Sequence, residues 1–204
     1  MSTRWLRARP FVQVNARGVC PNAPALADLA TAAPADSYGG KVILARPGAL
    51  DALRRMREEA RRAGVISARD PKVLTIFSGF RAPEADAARC VRDGNCQGLV
   101  RTICSAHRTG LALDLYIAQA PGQRPDSTDN ANRLFMSRSQ AYGWLLANGG
   151  RFGFVNYPFE PWHWEWTGEA MLPGVPISSL STAGSEPLTP PPPPPAVAPP
   201  ARVR

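Results

Sequence analysis

The chain contains only two histidines. Both lie in short segments that also carry a carboxylate: Ser105-Ala-His107-Arg-Thr-Gly-Leu-Ala-Leu-Asp114 and Glu160-Pro-Trp-His163-Trp. Zinc is commonly held by imidazole nitrogens and a carboxylate oxygen, and a catalytic site keeps three protein ligands so that one position stays open for water. His107, Asp114 and His163 make such a set, and Glu160 beside them can serve as a base. Each residue also has a plainer reading. His107 alone would be a polar loop histidine, His163 a ring stacked among tryptophans, and Asp114 a strand-end residue bonding a turn. Yet Asp114 sits mid-strand among apolar neighbours, where an unpaired carboxylate is costly. A cation opposite it removes that cost, and the three residues together favour a metal.

These positions constrain the elements that carry them. Fully extended, the seven steps from His107 to Asp114 would span roughly 23 Å, whereas two ligands of one ion lie within a few ångströms of each other. The chain must therefore double back near Arg108-Thr109-Gly110, and Gly110 is the residue best able to take the backbone angles required. From Leu111 to Ile117 the odd positions are Leu, Leu, Leu and Ile, while the even ones are Ala112, Asp114 and Tyr116. This pattern predicts a strand with one core face and one face carrying the aspartate. Trp162, Trp164 and Trp166 alternate with His163 and Glu165, so the tryptophans should face one way and the histidine the other. Glu160 reaches the histidine's face only if Pro161 bends the chain. Glu165 therefore competes for the role of base, or else supports the ligand or is simply solvated.

The remaining elements are read from periodicity. Leu50, Leu53, Met56, Ala60 and Ala63 recur at helical spacing and end at Gly64, a good C-terminal stop. Val73–Phe77 is a short β-branched and apolar run closed by Ser78-Gly79. A helix with Pro83 in its first turn follows, which puts Arg81 at a strand-to-helix junction. There its guanidinium could bind a substrate carboxylate or an oxyanion, or form only a surface salt bridge. A further helix is predicted over Ser139–Asn148, with Tyr142, Leu145 and Leu146 inward and Asn148-Gly149 as its stop.

Composition limits the classes of function. A chain of 204 residues suits one well-cored domain with little left for a second. No apolar run approaches the roughly 20 residues of a membrane helix, and the Arg-bearing N-terminus is followed by no signal-peptide core. The net charge of +8 comes from 22 Arg and 2 Lys. It would suit an anionic partner, but Arg54, Arg55, Arg57, Arg61 and Arg62 read as the solvated face of a helix, and no nucleic-acid motif accompanies them. Cys20, Cys90, Cys96 and Cys104 form no CxxC pair, which argues against zinc on cysteine; two disulfides or buried thiols both remain open. The division expected is an irregular lead-in over 1–45 packed on the domain, a catalytic domain over 46–177, and a Pro-rich extended or disordered tail over 178–204 with an unbroken Pro190–Pro195 run.

Four segments, in order, resemble the zinc D-alanyl-D-alanine carboxypeptidases of the VanY type: Ser78-Gly-Phe-Arg81; Ser105-x-His107-x-x-Gly110-x-Ala112-x-Asp114; Tyr142-x-Trp144-Leu145 with Gly153-Phe154; and Glu160-Pro-Trp-His163-Trp. The match spans about residues 45 to 168, and the second and fourth segments are specific as a pair. The resemblance implies a small α+β fold, an antiparallel sheet with packed helices and the metal in its cleft. It implies Zn2+ on His107, Asp114 and His163, Glu160 as general base and acid, and Arg81 stabilising substrate or transition state. Ser105 precedes the first ligand as in the family and is assigned, with Trp162, to substrate contact. The implied substrate is a peptidoglycan stem peptide ending in D-Ala-D-Ala, with no nucleic acid involved and a monomer expected.

The chain departs from the family at Asp86, where many relatives carry Gln, and in a longer cysteine-bearing connection from Cys90 to Cys104. Both bear on substrate preference more than on metal binding. A substrate of this kind places the protein in the periplasm or cell envelope, while the missing leader leaves a cytoplasmic or phage-derived protein open. Other readings are a D-Ala-D-Ala dipeptidase or a lysin-type endopeptidase of the same superfamily and, in a different class, a non-catalytic peptidoglycan-binding module.

Overall fold

Apolar residues at helical spacing fold into α1 (Pro47–Arg62), where proline fits at the start because its missing N–H would have no helical partner. Leu50, Leu53, Met56 and Ala60 are buried along one face. Gly64, at φ 73°, ends the helix: its N–H donates to the Arg61 carbonyl and that of Val65 to Ala60, the paired bonds of a Schellman stop. Ala63 lies past the helix and is exposed rather than inward. The computed structural model describes residues 23–92, 94, 105–157 and 159–167. The Pro-rich segment, Cys20, Cys96, Cys104 and the side chain of Cys90 lie outside the described residues.

Three more helices, α2 (Pro83–Arg92), α3 (Asn130–Ser137) and α4 (Gln140–Asn148), accompany two sheets. β1 (Ala30–Thr31) and β2 (Leu44–Ala45) form a two-residue antiparallel ribbon. β3 (Ile76–Ser78), β4 (Ala112–Leu115), β5 (Phe154–Asn156) and β6 (His163–Trp166) form an antiparallel sheet in the order β3-β4-β6-β5. The fold is α+β, as expected. Ile76, Leu113, Leu115, Phe154 and Trp164 from the sheet share one core with Leu53 and Met56 of α1 and Leu145 of α4. Ala32, Ile43 and Ala45, from the segment expected to be irregular, are part of that core. Among the described residues no helix is long and apolar enough to cross a membrane.

Several sequence expectations are corrected. Residues 71–74 form a turn, and β3 starts only at Ile76. Leu74 adopts φ 61° while fully buried and donates its N–H to the Tyr116 carbonyl at 2.7 Å; the fit of its side chain in the core offsets an uncommon backbone. β4 is buried on both faces, with Asp114 only 6% exposed. Arg57 is not part of a solvated face: it is 1% exposed and pairs with Asp36 at 3.3 Å, and desolvation lowers its pKa. Leu146 is exposed, while Leu145 carries the inward face of α4.

The turn demanded by the His107–Asp114 spacing is present. Residues Ala106–Thr109 form one 3-10 turn capped by Gly110 at φ 71°, and β4 starts two residues later. A Cβ at Gly110 would lie 2.8 Å from Leu29 Cδ2. Gly110→Ala should therefore cost about 1–2 kcal/mol, the usual penalty of a left-handed L-residue, as measured by urea unfolding. Undiminished stability would show that the turn does not depend on glycine.

Candidate metal centre

Strand register brings the ligand candidates together. Antiparallel pairing sets Asp114 of β4 directly opposite His163 of β6, and Ser78 of β3 opposite Asp114 from the other side. His107 arrives from the 3-10 turn, whose cap is Ser105: the Ser105 Oγ accepts the His107 N–H at 3.2 Å. His107 Nε2 lies 3.1 Å from Asp114 Oδ2, and His163 Nδ1 lies 3.0 Å from Asp114 Oδ1. The three residues are each no more than 6% exposed, and one donor atom from each falls within 4.8 Å of the others.

The outer ring nitrogens have partners that orient them. His107 Nδ1 is 2.7 Å from the Gly79 carbonyl, which only accepts, so Nδ1 carries a proton and Nε2 is the ring nitrogen turned inward. His163 Nε2 is 3.0 Å from Glu165 Oε1. Donation there leaves His163 Nδ1 as the inward atom. Zinc bonded at about 2.0–2.1 Å holds neighbouring ligand atoms roughly 3.3 Å apart, close to the two imidazole–carboxylate spacings of 3.1 and 3.0 Å. Carbonyl and carboxylate partners of this kind fix ligand tautomers in zinc sites. The residues present therefore fit a zinc ion on chemistry, spacing and orientation.

Charge within the group is strongly coupled. Burial would raise the Asp114 carboxyl, but the two imidazoles beside it outweigh that and hold it well below the usual carboxylate range. For His163, burial disfavours charge, while hydrogen bonds to Asp114 and Glu165 outweigh it and push the ring up to about 10. In the metal-free protein this raised pKa contributes stability that is fully present below 6.5 and is lost as pH rises through about 10. Thermal melts of chelated protein should accordingly fall across that alkaline window. A profile with no such fall would contradict the ion pair.

Around the three residues lies a cleft of about 410 Å³, lined also by Glu160, Arg81, Ser105 and Trp162. Glu160 stands in the turn between β5 and β6, where the bend at Pro161 brings it to the cleft. Trp162 breaks the expected alternation. β6 begins at His163, so Trp162 lies in the preceding turn and lines the cleft, whereas Trp164 and Trp166 pack on the core. The Arg81 guanidinium donates to Asp86 Oδ1 at 3.2 Å and to the hydroxyls of Ser105 and Ser78, each at 3.4 Å. Its backbone N–H donates to the His107 carbonyl at 3.1 Å, which ties it to the ligand turn.

No protein family and no curated protein matches the chain in sequence. Among solved structures, the LdcB LD-carboxypeptidase, described for its peptidoglycan recognition, aligns at a TM-score of 0.51 and 23% identity, covering 72% of this chain and 70% of its own. The chain has the fold of that LD-carboxypeptidase. Two VanY structures also align at 22% identity: the vancomycin-resistance D,D-pentapeptidase with Zn(II) (TM-score 0.42, 74% of this chain and 87% of that one) and VanYB with D-alanine-D-alanine (0.39, 71% and 81%).

The structure gives Asp86 a bracing role and adds cleft residues that the sequence left out. Asp86, 3% exposed, accepts from both Arg81 and the Ser105 N–H, so the residue that departs from the family pattern braces two cleft residues. Its place on the first turns of α2, five residues after Arg81, was a usable signal. Tyr38 and Lys41 reach the cleft from the segment joining β1 and β2, and Arg124 from the loop before α3. No local pattern marks any of these three. Gly79 acts through its carbonyl alone, which a residue type does not disclose.

Proposed function

We propose that the chain is a zinc peptidase of the VanY type that removes the terminal D-Ala from peptidoglycan stem peptides ending in D-Ala-D-Ala. One observation carries this reading: three buried donor atoms converge on one point, each ring oriented from behind, in a cleft that also holds a glutamate and an arginine. His107 Nε2, Asp114 and His163 Nδ1 would hold the ion. Zinc in such a site polarises a carbonyl and lowers the pKa of water.

The remaining roles fall to the chain's own side chains. Glu160 accepts a proton from water as its oxygen attacks the penultimate carbonyl carbon, then delivers that proton to the nitrogen of the departing D-Ala as the C–N bond breaks. Arg81 supplies a fixed positive group for the substrate carboxylate or the developing oxyanion, with Asp86 and two serines holding it in place. Ser105 and Trp162 contact the peptide. Gly79 and Glu165 keep both imidazoles in register. A substrate of this class puts the working protein at the cell envelope.

Stem pentapeptide and tetrapeptide, offered separately to zinc-loaded protein with products identified by mass spectrometry, test the bond assignment. Free D-Ala from pentapeptide alone supports the D,D-carboxypeptidase. D-Ala from tetrapeptide, free D-Ala-D-Ala, or a cut deeper in the stem would move the assignment to an LD-carboxypeptidase, a dipeptidase or an endopeptidase. Binding with no product would leave a peptidoglycan-binding module and overturn the enzyme.

A further inference from the structure

The turn between β5 and β6 carries the base Glu160 and leads directly into the ligand His163, and side chains from three elements hold its carbonyls. Arg133 of α3 donates to the Phe159 carbonyl at 3.2 Å, Asn156 of β5 to that of Glu160 at 3.2 Å, and Trp164 Nε1 of β6 to that of Pro161 at 2.9 Å. The Asn156 Nδ2 also donates to the His163 carbonyl at 2.9 Å. One amide group thus spans the backbone of both residues. Its orientation is set from behind, because Asn156 Oδ1 accepts the Tyr142 hydroxyl of α4 at 2.9 Å. Register pairs Asn156 with Trp164, on the opposite face of the sheet from His163, so the amide acts from behind the cleft and is not among the residues lining it. Tyr142 is fixed in turn by edge-on packing against the Trp164 ring.

We infer that Asn156 is a positioning residue, which with Tyr142 behind it fixes the distance and angle between Glu160 and the inward nitrogen of His163. The inference rests on the peptidase reading for its kinetic consequence, but its geometric consequence holds in any metal-loaded form of the chain. A base must meet its proton within hydrogen-bond reach, and a misplacement of about 1 Å can cost on the order of 10²-fold in rate. Loss of the bracket should therefore appear in kcat, while substrate affinity, set by residues elsewhere in the cleft, is spared.

The test compares wild type, Asn156→Ala and Tyr142→Phe as full-length proteins, by steady-state kinetics on stem pentapeptide, zinc affinity from chelator competition, and the visible spectrum of the Co2+-substituted form. For Asn156→Ala the expected result is kcat down about 10²-fold with KM within about threefold, weaker zinc binding and an altered cobalt spectrum. Tyr142→Phe, which removes only the amide's anchor, should show the same split at roughly a tenth of the size. A purely structural role would lower the melting temperature and leave the kcat-to-KM split and the cobalt spectrum untouched, and that outcome overturns the inference. If Asn156→Ala does not fold, Tyr142→Phe decides alone: wild-type kcat and spectrum refute the bracket. If wild type hydrolyses no stem peptide, the peptidase reading fails separately. The cobalt spectrum and zinc affinity then still judge the bracket, and no change in either variant refutes it.

Discussion

Glu160→Gln should lower turnover about 10³-fold, within the range ascribed to general acid–base catalysis, while bound zinc stays at one equivalent. Glutamine keeps the shape and the hydrogen-bonding carbonyl but can neither accept a proton from water nor return it to the leaving amine. The metal should be spared because the three proposed ligand atoms belong to other residues and the two outer ring nitrogens are oriented by Gly79 and Glu165. Glu165 is the rival for the base. It is 4% exposed and engaged with His163 Nε2 on the far side of the ring, which suits an orienting role. Glu165→Gln should thus act mainly on zinc affinity, by about 10–100-fold. Zinc content measured alongside turnover separates the two glutamates. Full activity in Glu160→Gln would sink the assignment of the base.

Asp114→Ala should abolish both zinc binding and turnover. Asp114 is the residue common to both short contacts of the site, at 3.1 Å to His107 and 3.0 Å to His163, and it lies at the centre of the sheet between Ser78 and His163. Its removal takes away one of the three proposed ligands and the only carboxylate among them. The metal-free protein should also lose stability, on the order of 2 kcal/mol; this is less than for a typical broken buried pair, because His163 can shed its proton once its partner is gone. Glu160→Gln carries no such penalty, so denaturant unfolding of the chelated variants should place Asp114→Ala clearly below wild type. Retained stoichiometric zinc in Asp114→Ala would refute the ligand set.

The convergence of His107, Asp114 and His163 was legible because the chain is sparing with histidine and because the spacing from His107 to Asp114 demands a turn, which Gly110 provides at φ 71°. The helix α1 was legible because its apolar spacing is regular and Pro47 and Gly64 bracket it. Other features depend on information no local pattern holds. α3 is eight residues long and buries only Asn132 and Met136, too little for a periodic signal. β1 and β2 have two residues each, and their pairing is set by the core they close over. Arg57 reads as surface in any helical window, yet Asp36, from a distant segment, meets it in the interior. Trp162 follows the tryptophan alternation in sequence but escapes it in space: the regular register with β4 starts at His163, and Trp162 stands in the preceding turn with only its carbonyl bonded to Leu115. The role of Asn156 is a matter of which carbonyls its amide meets, and only coordinates supply that.

The most direct test of the central claim is release of D-alanine from a stem pentapeptide by purified protein as isolated, after chelation, and after zinc add-back. The account expects release that is lost on chelation, restored by zinc in wild type, and not restored in Asp114→Ala. Release that persists in fully chelated protein, or zinc-loaded protein that leaves the peptide intact, would contradict it.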